Sequence, residues 1–139
     1  MRRLIPTALG LLAASAVGAP VAWAGSPHFV DSTVTATRTD NTLTVEGKEA
    51  GLGEEPQVHI EVTATAECIN KGGKHPKAEN KGEFSTGKEV PVQNGKAEFS
   101  IPLTVTLKPE CSPPMTLAFR DVTVTDTTNN ISVSLPGTF

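Results

Sequence analysis

The chain has 139 residues, of which 15 are acidic and 12 are Lys or Arg, and its formal net charge at pH 7 is −3. This acidic balance argues against general nucleic-acid binding, which needs a basic surface. The length suits one domain with one modest core.

The first 24 residues have the features of a secretory signal peptide. Arg2 and Arg3 give a basic start, an apolar stretch follows over residues 4–21, and Ala-Trp-Ala at 22–24 supplies small residues for cleavage. Proline and glycine interrupt the apolar stretch, which argues against an uncleaved membrane anchor. We therefore predict cleavage before Gly25, secretion to the extracellular space, and a mature protein that is free of the membrane.

Alternation of apolar and polar residues dominates the remaining sequence and is typical of strands buried on one face. Near its start, short alternating segments flank a turn predicted at Asp40-Asn41. The clearest segment spans residues 57–68, where every second side chain is small or apolar. We expect the following side chains of this segment to face the core: Val58, Ile60, Val62, Ala64, Ala66 and Cys68.

Asn94-Gly95 is the strongest hairpin signal, because both residues tolerate the positive φ of a type I′ turn. Taken as a two-residue loop, it places apolar residues opposite apolar residues on one face. After the turn, inward positions continue to Leu107, and Pro102 on the outward phase suggests an edge strand or a bulge. The predicted cross-strand pairs are Gln93–Lys96, Val92–Ala97 and Val90–Phe99.

The last part of the chain contains two more strands. Apolar residues change phase across Arg120-Asp121, which predicts a β-bulge there, and residues 126–130 form a turn before the final strand. The whole pattern predicts an all-β fold over residues 25–139: an immunoglobulin-like antiparallel β-sandwich of about seven strands after a cleaved signal peptide at 1–24. Gly51 and Gly53 are expected to shape a loop that inserts Leu52 into the core.

Cys68 and Cys111 are the only cysteines. An even count in a short exported chain favours a disulfide, and no Cys-x-x-Cys motif suggests a redox or metal site. We predict a Cys68–Cys111 bridge.

The segment 69–82 is the longest break in the strand pattern, and it is basic, with four lysines against Glu79. A long loop in a compact domain is often functional. It would present a cationic surface to an anionic cell-wall polymer, whereas the alternative is a loop that lysines merely keep solvated. The candidate ligand-binding residues are Lys71, Lys74, His75, Lys77 and Lys81.

Three segments resemble a group of small exported microbial proteins of unknown function. They are Lys-Glu-Ala-Gly-Leu-Gly at 48–53, Cys-Ile-Asn-Lys-Gly-Gly at 68–73 and His-Pro-Lys-Ala-Glu-Asn-Lys at 75–81. The resemblance extends over most of the mature chain. It implies export and a β fold, and it assigns no catalytic or binding residue.

Signals for catalysis and for metal binding are weak. His59 and Glu61 share an outward face, but two ligands do not make a specific metal site, and an exposed cross-face pair is the simpler interpretation. We predict no catalytic residues, no metal and no cofactor. Carboxylates that could in principle form an acid/base pair are Glu54, Glu55, Glu79, Glu83 and Asp121.

The preferred hypothesis is a secreted, non-catalytic β-sandwich that contacts an extracellular ligand through the basic segment 69–82. Its expected partner is an anionic cell-wall polymer or another extracellular protein, with no nucleic acid and no membrane contact, and we expect a monomer. The alternatives are a secreted enzyme inhibitor or small hydrolase, since small disulfide-bridged exported domains often have such roles, and a structural protein of the cell envelope.

Overall fold

The computed structural model describes residues 25–70 and 81–139, so the predicted signal peptide lies outside the described residues. Within these ranges the chain forms eight β-strands and one short 3-10 helix, and none of its helices has the length and apolar character needed to cross a membrane. The strands are β1 His28–Phe29, β2 Thr35–Thr39, β3 Thr42–Ala50, β4 Gln57–Ile69, β5 Lys81–Pro91, β6 Ala97–Thr104, β7 Thr116–Asp126 and β8 Ile131–Leu135.

The strands form two four-stranded antiparallel sheets. In sheet A, β3 is central, with β6 on one side and with β1 and β2 sharing the other side. In sheet B, the order is β5-β4-β7-β8. The chain passes from sheet A to sheet B after β3, returns after β5, and passes again after β6. The predicted all-β sandwich is therefore confirmed, with eight strands rather than about seven.

The core lies between the two sheets and is built from the alternating positions that the sequence predicted. All six inward side chains of β4 are completely buried. Across from them, Leu43 and Val45 of β3 and the inward residues of β6 supply the other layer. The rings of Phe29 and Phe99 meet edge to face, with centroids 6.0 Å apart, a favoured geometry for aromatic pairs.

Two local predictions in the first half of the domain are confirmed. Asp40 has a φ of 52° in the two-residue turn between β2 and β3, as a tight hairpin requires. Leu52 is 1% exposed and lies between Gly51 (φ 73°) and Gly53 (φ 55°). Its N–H donates to the carbonyl of Gly95 at 2.9 Å, so the loop is fixed by its backbone as well as by the buried side chain.

The predicted β-bulge in β7 is also present. Thr123 pairs with Thr63 of β4, but Arg120 pairs with Thr65, so two residues of β7 oppose one residue of β4. Asp121 has a φ of 53° at this point. The extra residue reverses the inward phase, which is why Phe119 and Val122 both reach the core.

The predicted hairpin at Asn94-Gly95 is correct in its turn and wrong in its strands. Asn94 (φ 53°) and Gly95 (φ 74°) form the turn, and Gln93 pairs with Lys96 as expected. Beyond this bridge the two strands belong to different sheets, because β5 pairs with β4 and β6 pairs with β3. The pairs observed in place of the predicted ones are Val90 with Val58, Ala97 with Glu49 and Phe99 with Gly47.

Pro102 lies on β6, whose only partner strand among the described residues is β3. Its side chain is exposed and it pairs with Thr44. Proline lacks a backbone N–H, and an edge strand tolerates this loss because one of its sides has no strand to bond. The predicted edge position of Pro102 is therefore confirmed.

Candidate functional site

One end of the sandwich carries the predicted disulfide. Cys68 near the end of β4 is bonded to Cys111 in the connection between β6 and β7, with Cα atoms 5.4 Å apart and a sequence separation of 43. Cys68 is completely buried, and the described residues contain no free cysteine. The bridge therefore fixes the base of the segment that the sequence marked as basic.

Most of the predicted ligand-binding residues lie outside the described part of the chain. These are Lys71, Lys74, His75 and Lys77. Lys81 is described: it is exposed, it begins β5, and it pairs with Glu67 of β4. The two ends of the basic segment thus lie on the neighbouring antiparallel strands β4 and β5. On β4, the segment begins at the residue that follows the bridged Cys68.

Glu67 departs from its expected environment. The strand pattern places it on the outward face with solvated polar residues, yet its side chain is 1% exposed. Its Oε1 lies 2.7 Å from Nε of Arg120, and Nη1 of Arg120 lies 3.4 Å from Oδ2 of Asp121. Arg120 lies at the β-bulge of β7, where it pairs with Thr65 of β4. The ion pair with Glu67 therefore depends on this bulge. A buried charge needs such a partner because desolvation is costly.

A small pocket of about 210 Å³ opens beside the disulfide. Its volume is below the range of about 300–1,000 Å³ that is usual for sites of small organic ligands. Among the described residues that line this pocket, Glu110 is the one charged group, and the others are apolar or weakly polar. Its lining residues are Asn41, Val105, Thr106, Leu107, Glu110, Cys111 and Leu117.

A second cluster of charged groups lies between the sheets, away from the disulfide. Glu49 of β3 and Asp126, the last residue of β7, are both completely buried. Burial, the adjacent carboxyl of Asp126 and the more distant charge of Glu55 raise the pKa of Glu49 from 4.5 to about 9. Glu49 is therefore protonated at neutral pH, and its proton can bridge the two carboxyl groups.

Asp126 has the opposite character. Burial opposes its ionisation, but hydrogen bonds from Glu49 and from the side chain and backbone of Asn129 outweigh burial and lower its pKa. The backbone N–H groups of Thr128 and Asn129 donate to Oδ1 at 2.8 and 3.1 Å, and Nδ2 of Asn129 donates to Oδ2 at 2.7 Å. The same Nδ2 lies 3.0 Å from Oε2 of Glu55. An ionised Asp126 thus organises the turn from β7 to β8.

The arrangement of Glu49 and Asp126 suits structure better than catalysis. A general acid and base must be within reach of a substrate, and neither side chain is accessible. The pair instead places a protonated carboxyl group of sheet A beside an acceptor carboxylate of sheet B in the core. Sequence reasoning missed both residues, although the inward phase of Leu43 and Val45 extends to Glu49, and that of Val122 and Val124 extends to Asp126.

Four of the five candidate carboxylates belong to the described residues, and these four do not converge on a deep site. Glu83 and Asp121 line a shallow groove on the outer face of sheet B and are both exposed. Glu54 is exposed, Glu55 contacts Asn129, and Glu79 lies outside the described residues.

The histidine that was considered as a metal ligand has a different neighbour. His59 Nδ1 lies 2.7 Å from Oε1 of Glu89 on β5, so His59 forms a partly exposed cross-strand pair, with Glu89 in place of Glu61. Among residues 25–70 and 81–139, no group of three or more His, Cys, Asp or Glu side chains could hold a metal ion.

No protein-family model and no curated protein matches the chain. Among solved structures, the solution structure of R. palustris CsgH is similar to this chain, with a TM-score of 0.33 and 11% sequence identity over 80% of this chain and 92% of that chain. A likeness this distant carries no functional argument, so the function must be inferred from the residues of the chain itself.

Proposed function

We propose that this protein is an exported, non-catalytic binding domain that recognises an anionic extracellular polymer through the basic segment 69–82. Two features support export. The first is the basic, apolar and small-residue pattern of residues 1–24. The second is the Cys68–Cys111 bridge, since such bridges persist in oxidising compartments.

The binding proposal is supported by the concentration of lysines in one segment of an acidic chain, together with the described strand ends that flank this segment. The segment 69–82 holds four of the lysines and one glutamate, whereas the chain as a whole is negative. Cys68 and Lys81 anchor the two ends of this segment on paired strands. Fixed ends reduce the conformational entropy that a loop loses when it binds.

The ligand class follows from the charge. Lysine is a compact, strongly hydrated cation, and several lysines in one segment favour a repeating anion over a single small molecule. A teichoic acid or an anionic cell-wall glycan has this chemistry. Binding of this kind is strongly weakened by salt, because exposed charges are screened over about 8–10 Å at physiological ionic strength.

Retention on purified anionic wall polymer tests the proposal. The triple variant K71Q/K74Q/K77Q should lose most of its retention at low salt, and the wild type should lose it as salt is raised. The matched control is K48Q/K88Q/K96Q, which removes the same charge from exposed positions elsewhere on the domain. Equal retention of both variants would show that net charge alone, or another surface, is responsible.

A further inference from the structure

Strand β8 forms an unprotected edge of sheet B. It is the outermost strand on that side, and it has no second partner strand in the ranges 25–70 and 81–139. Open edges in soluble proteins usually carry charged residues or proline that prevent pairing with other chains. Three other outer strands follow this rule, with Arg38 in β2, Lys88 and Glu89 in β5, and Glu98 and Pro102 in β6, whereas β1 is only the two residues His28–Phe29. β8, with the sequence Ile-Ser-Val-Ser-Leu, has neither.

The hydrogen-bonding pattern shows which peptide groups of β8 face the open edge. Thr127, the residue that follows β7, donates its N–H to the carbonyl of His59 in β4 at 3.0 Å, so the peptide groups at this position face β4. Along an antiparallel strand, the N–H and C=O groups of successive residues face opposite neighbouring strands. The peptide groups of Val124 therefore face β8, where Val124 is paired with Val133. The same alternation turns the N–H and C=O groups of the two serines in β8 toward the open edge.

The sequence of β8 is self-complementary about Val133. When two copies are placed antiparallel around this residue, Ser132 of one copy lies opposite Ser134 of the other, and both have their peptide groups directed across the junction. In an antiparallel ladder such pairs exchange both N–H···O bonds. Ile131 then lies opposite Leu135, and the two Val133 side chains meet, on the side where these apolar residues are now half-buried.

We propose that the protein forms a symmetric dimer through β8, in which sheet B continues across a two-fold axis into the sheet of the second copy. A second copy is favoured over an unrelated peptide because one register matches every apolar residue with an apolar residue and every serine with a serine, with no charge to oppose contact. The proposal replaces the expectation of a monomer. A strand of five residues provides a small interface, so the association should be weak, in the micromolar range.

Sedimentation of the exported, oxidised protein over a wide concentration range tests the dimer. Ser132 and Ser134 are exposed, so substitutions there should leave the fold intact. The variant S132K/S134K places lysine opposite lysine in both pairs and should weaken dimerisation at least about tenfold. The variant S132E/S134K places glutamate opposite lysine in both pairs and should restore it.

The control variant T37K/T39K adds two lysines at the same spacing to exposed positions of the outer strand β2 and should leave the dimer unchanged. Hydrogen exchange gives a second measurement, in which the amides of Ser132 and Ser134 should become protected as concentration rises. A wild-type protein that stays monomeric throughout overturns the proposal. A dimer that S132K/S134K leaves intact also overturns it, because its interface then lies elsewhere.

Discussion

Glu49 and Asp126 meet across the sandwich with opposite ionisation behaviour, although both are completely buried carboxylic acids. Glu49 keeps its proton up to a pKa of about 9, whereas Asp126 loses its proton more readily than usual. The difference arises from their partners. Asp126 accepts hydrogen bonds from two backbone N–H groups and from Asn129, whereas the described part of the chain supplies no comparable donors to Glu49.

Replacing Glu49 by glutamine should stabilise the protein at neutral and alkaline pH. The unfolded state ionises Glu49 near its usual pKa of 4.5, so folding must take up a proton between that pH and about 9, and the stability of the wild type falls as pH rises through this window. Glutamine retains a hydrogen-bond donor without this cost. We expect a gain of about 1–3 kcal/mol at pH 7 and little gain near pH 4, measured by chemical denaturation. Parallel stability curves for the two proteins would contradict this prediction.

Replacing Asp126 by asparagine should destabilise the protein. The substitution removes the charge that accepts the backbone N–H bonds of the β7–β8 turn, and it sets the new amide group against that of Asn129. The expected loss is about 2 kcal/mol at pH 7.

The acid limb of the stability curve provides the second test of Asp126. The lowered pKa of Asp126 contributes stability above its usual pKa of 3.8, and this contribution is lost as pH falls through the lower folded-state value. D126N should therefore lose less stability than the wild type on acidification. A variant with an unchanged acid limb would mean that Asp126 is not ionised in the folded protein.

Replacing Gly51 by alanine should be much more damaging than replacing Gly137. Both have positive φ, 73° and 103°, which an alanine adopts only under strain. A Cβ at Gly51 would also overlap the backbone carbonyl of Ser26, whereas one at Gly137 would meet no atom of the described residues within 4 Å. We expect G51A to cost about 2 kcal/mol or more and G137A about 1 kcal/mol, by thermal or chemical unfolding. Similar losses would assign the effect to φ alone.

Removing the disulfide with C68S/C111S should lower the free energy of unfolding by about 4 kcal/mol, the entropic expectation for a loop of this length. Intact-mass measurement of the wild type with and without reductant verifies the bridge first. The reduced wild type serves as the control and should be as unstable as the double variant. If instead the double variant is much less stable, loss of packing at the buried Cys68 contributes in addition.

Local patterns in the sequence predicted much of the fold because they depend on short-range chemistry. The two-residue alternation of β4, the bulge at Arg120-Asp121 and the turn at Asn94-Gly95 all appear in the structure. The pairing of Val90 with Phe99 failed because a turn fixes only its immediate neighbours. Which sheet each strand then joins depends on partners such as Val58 and Gly47, far away in the sequence.

The buried charges were missed for a different reason. The apolar residues of β3 and β7 define which positions of these strands face inward, and the same inward positions include Glu49 and Asp126 near the strand ends. Glu67 shows the opposite discrepancy. Its position in the alternation of β4 predicts an exposed side chain, yet that side chain is buried beside Arg120. Following strand phase irrespective of polarity would have found the first two residues. The burial of Glu67 depends on the bulge in the neighbouring strand β7, so the sequence of β4 alone does not predict it.

The position of the disulfide bears on the order of assembly. The long ladder between β4 and β7 joins segments separated by β5 and β6, and closing so large a loop slows folding. Cys68 pairs with Leu117 in that ladder, only six residues from Cys111 along the chain. If the thiols oxidise early, the end of β4 is already tethered beside the start of β7, and the two strands need only close from that point in the correct alignment.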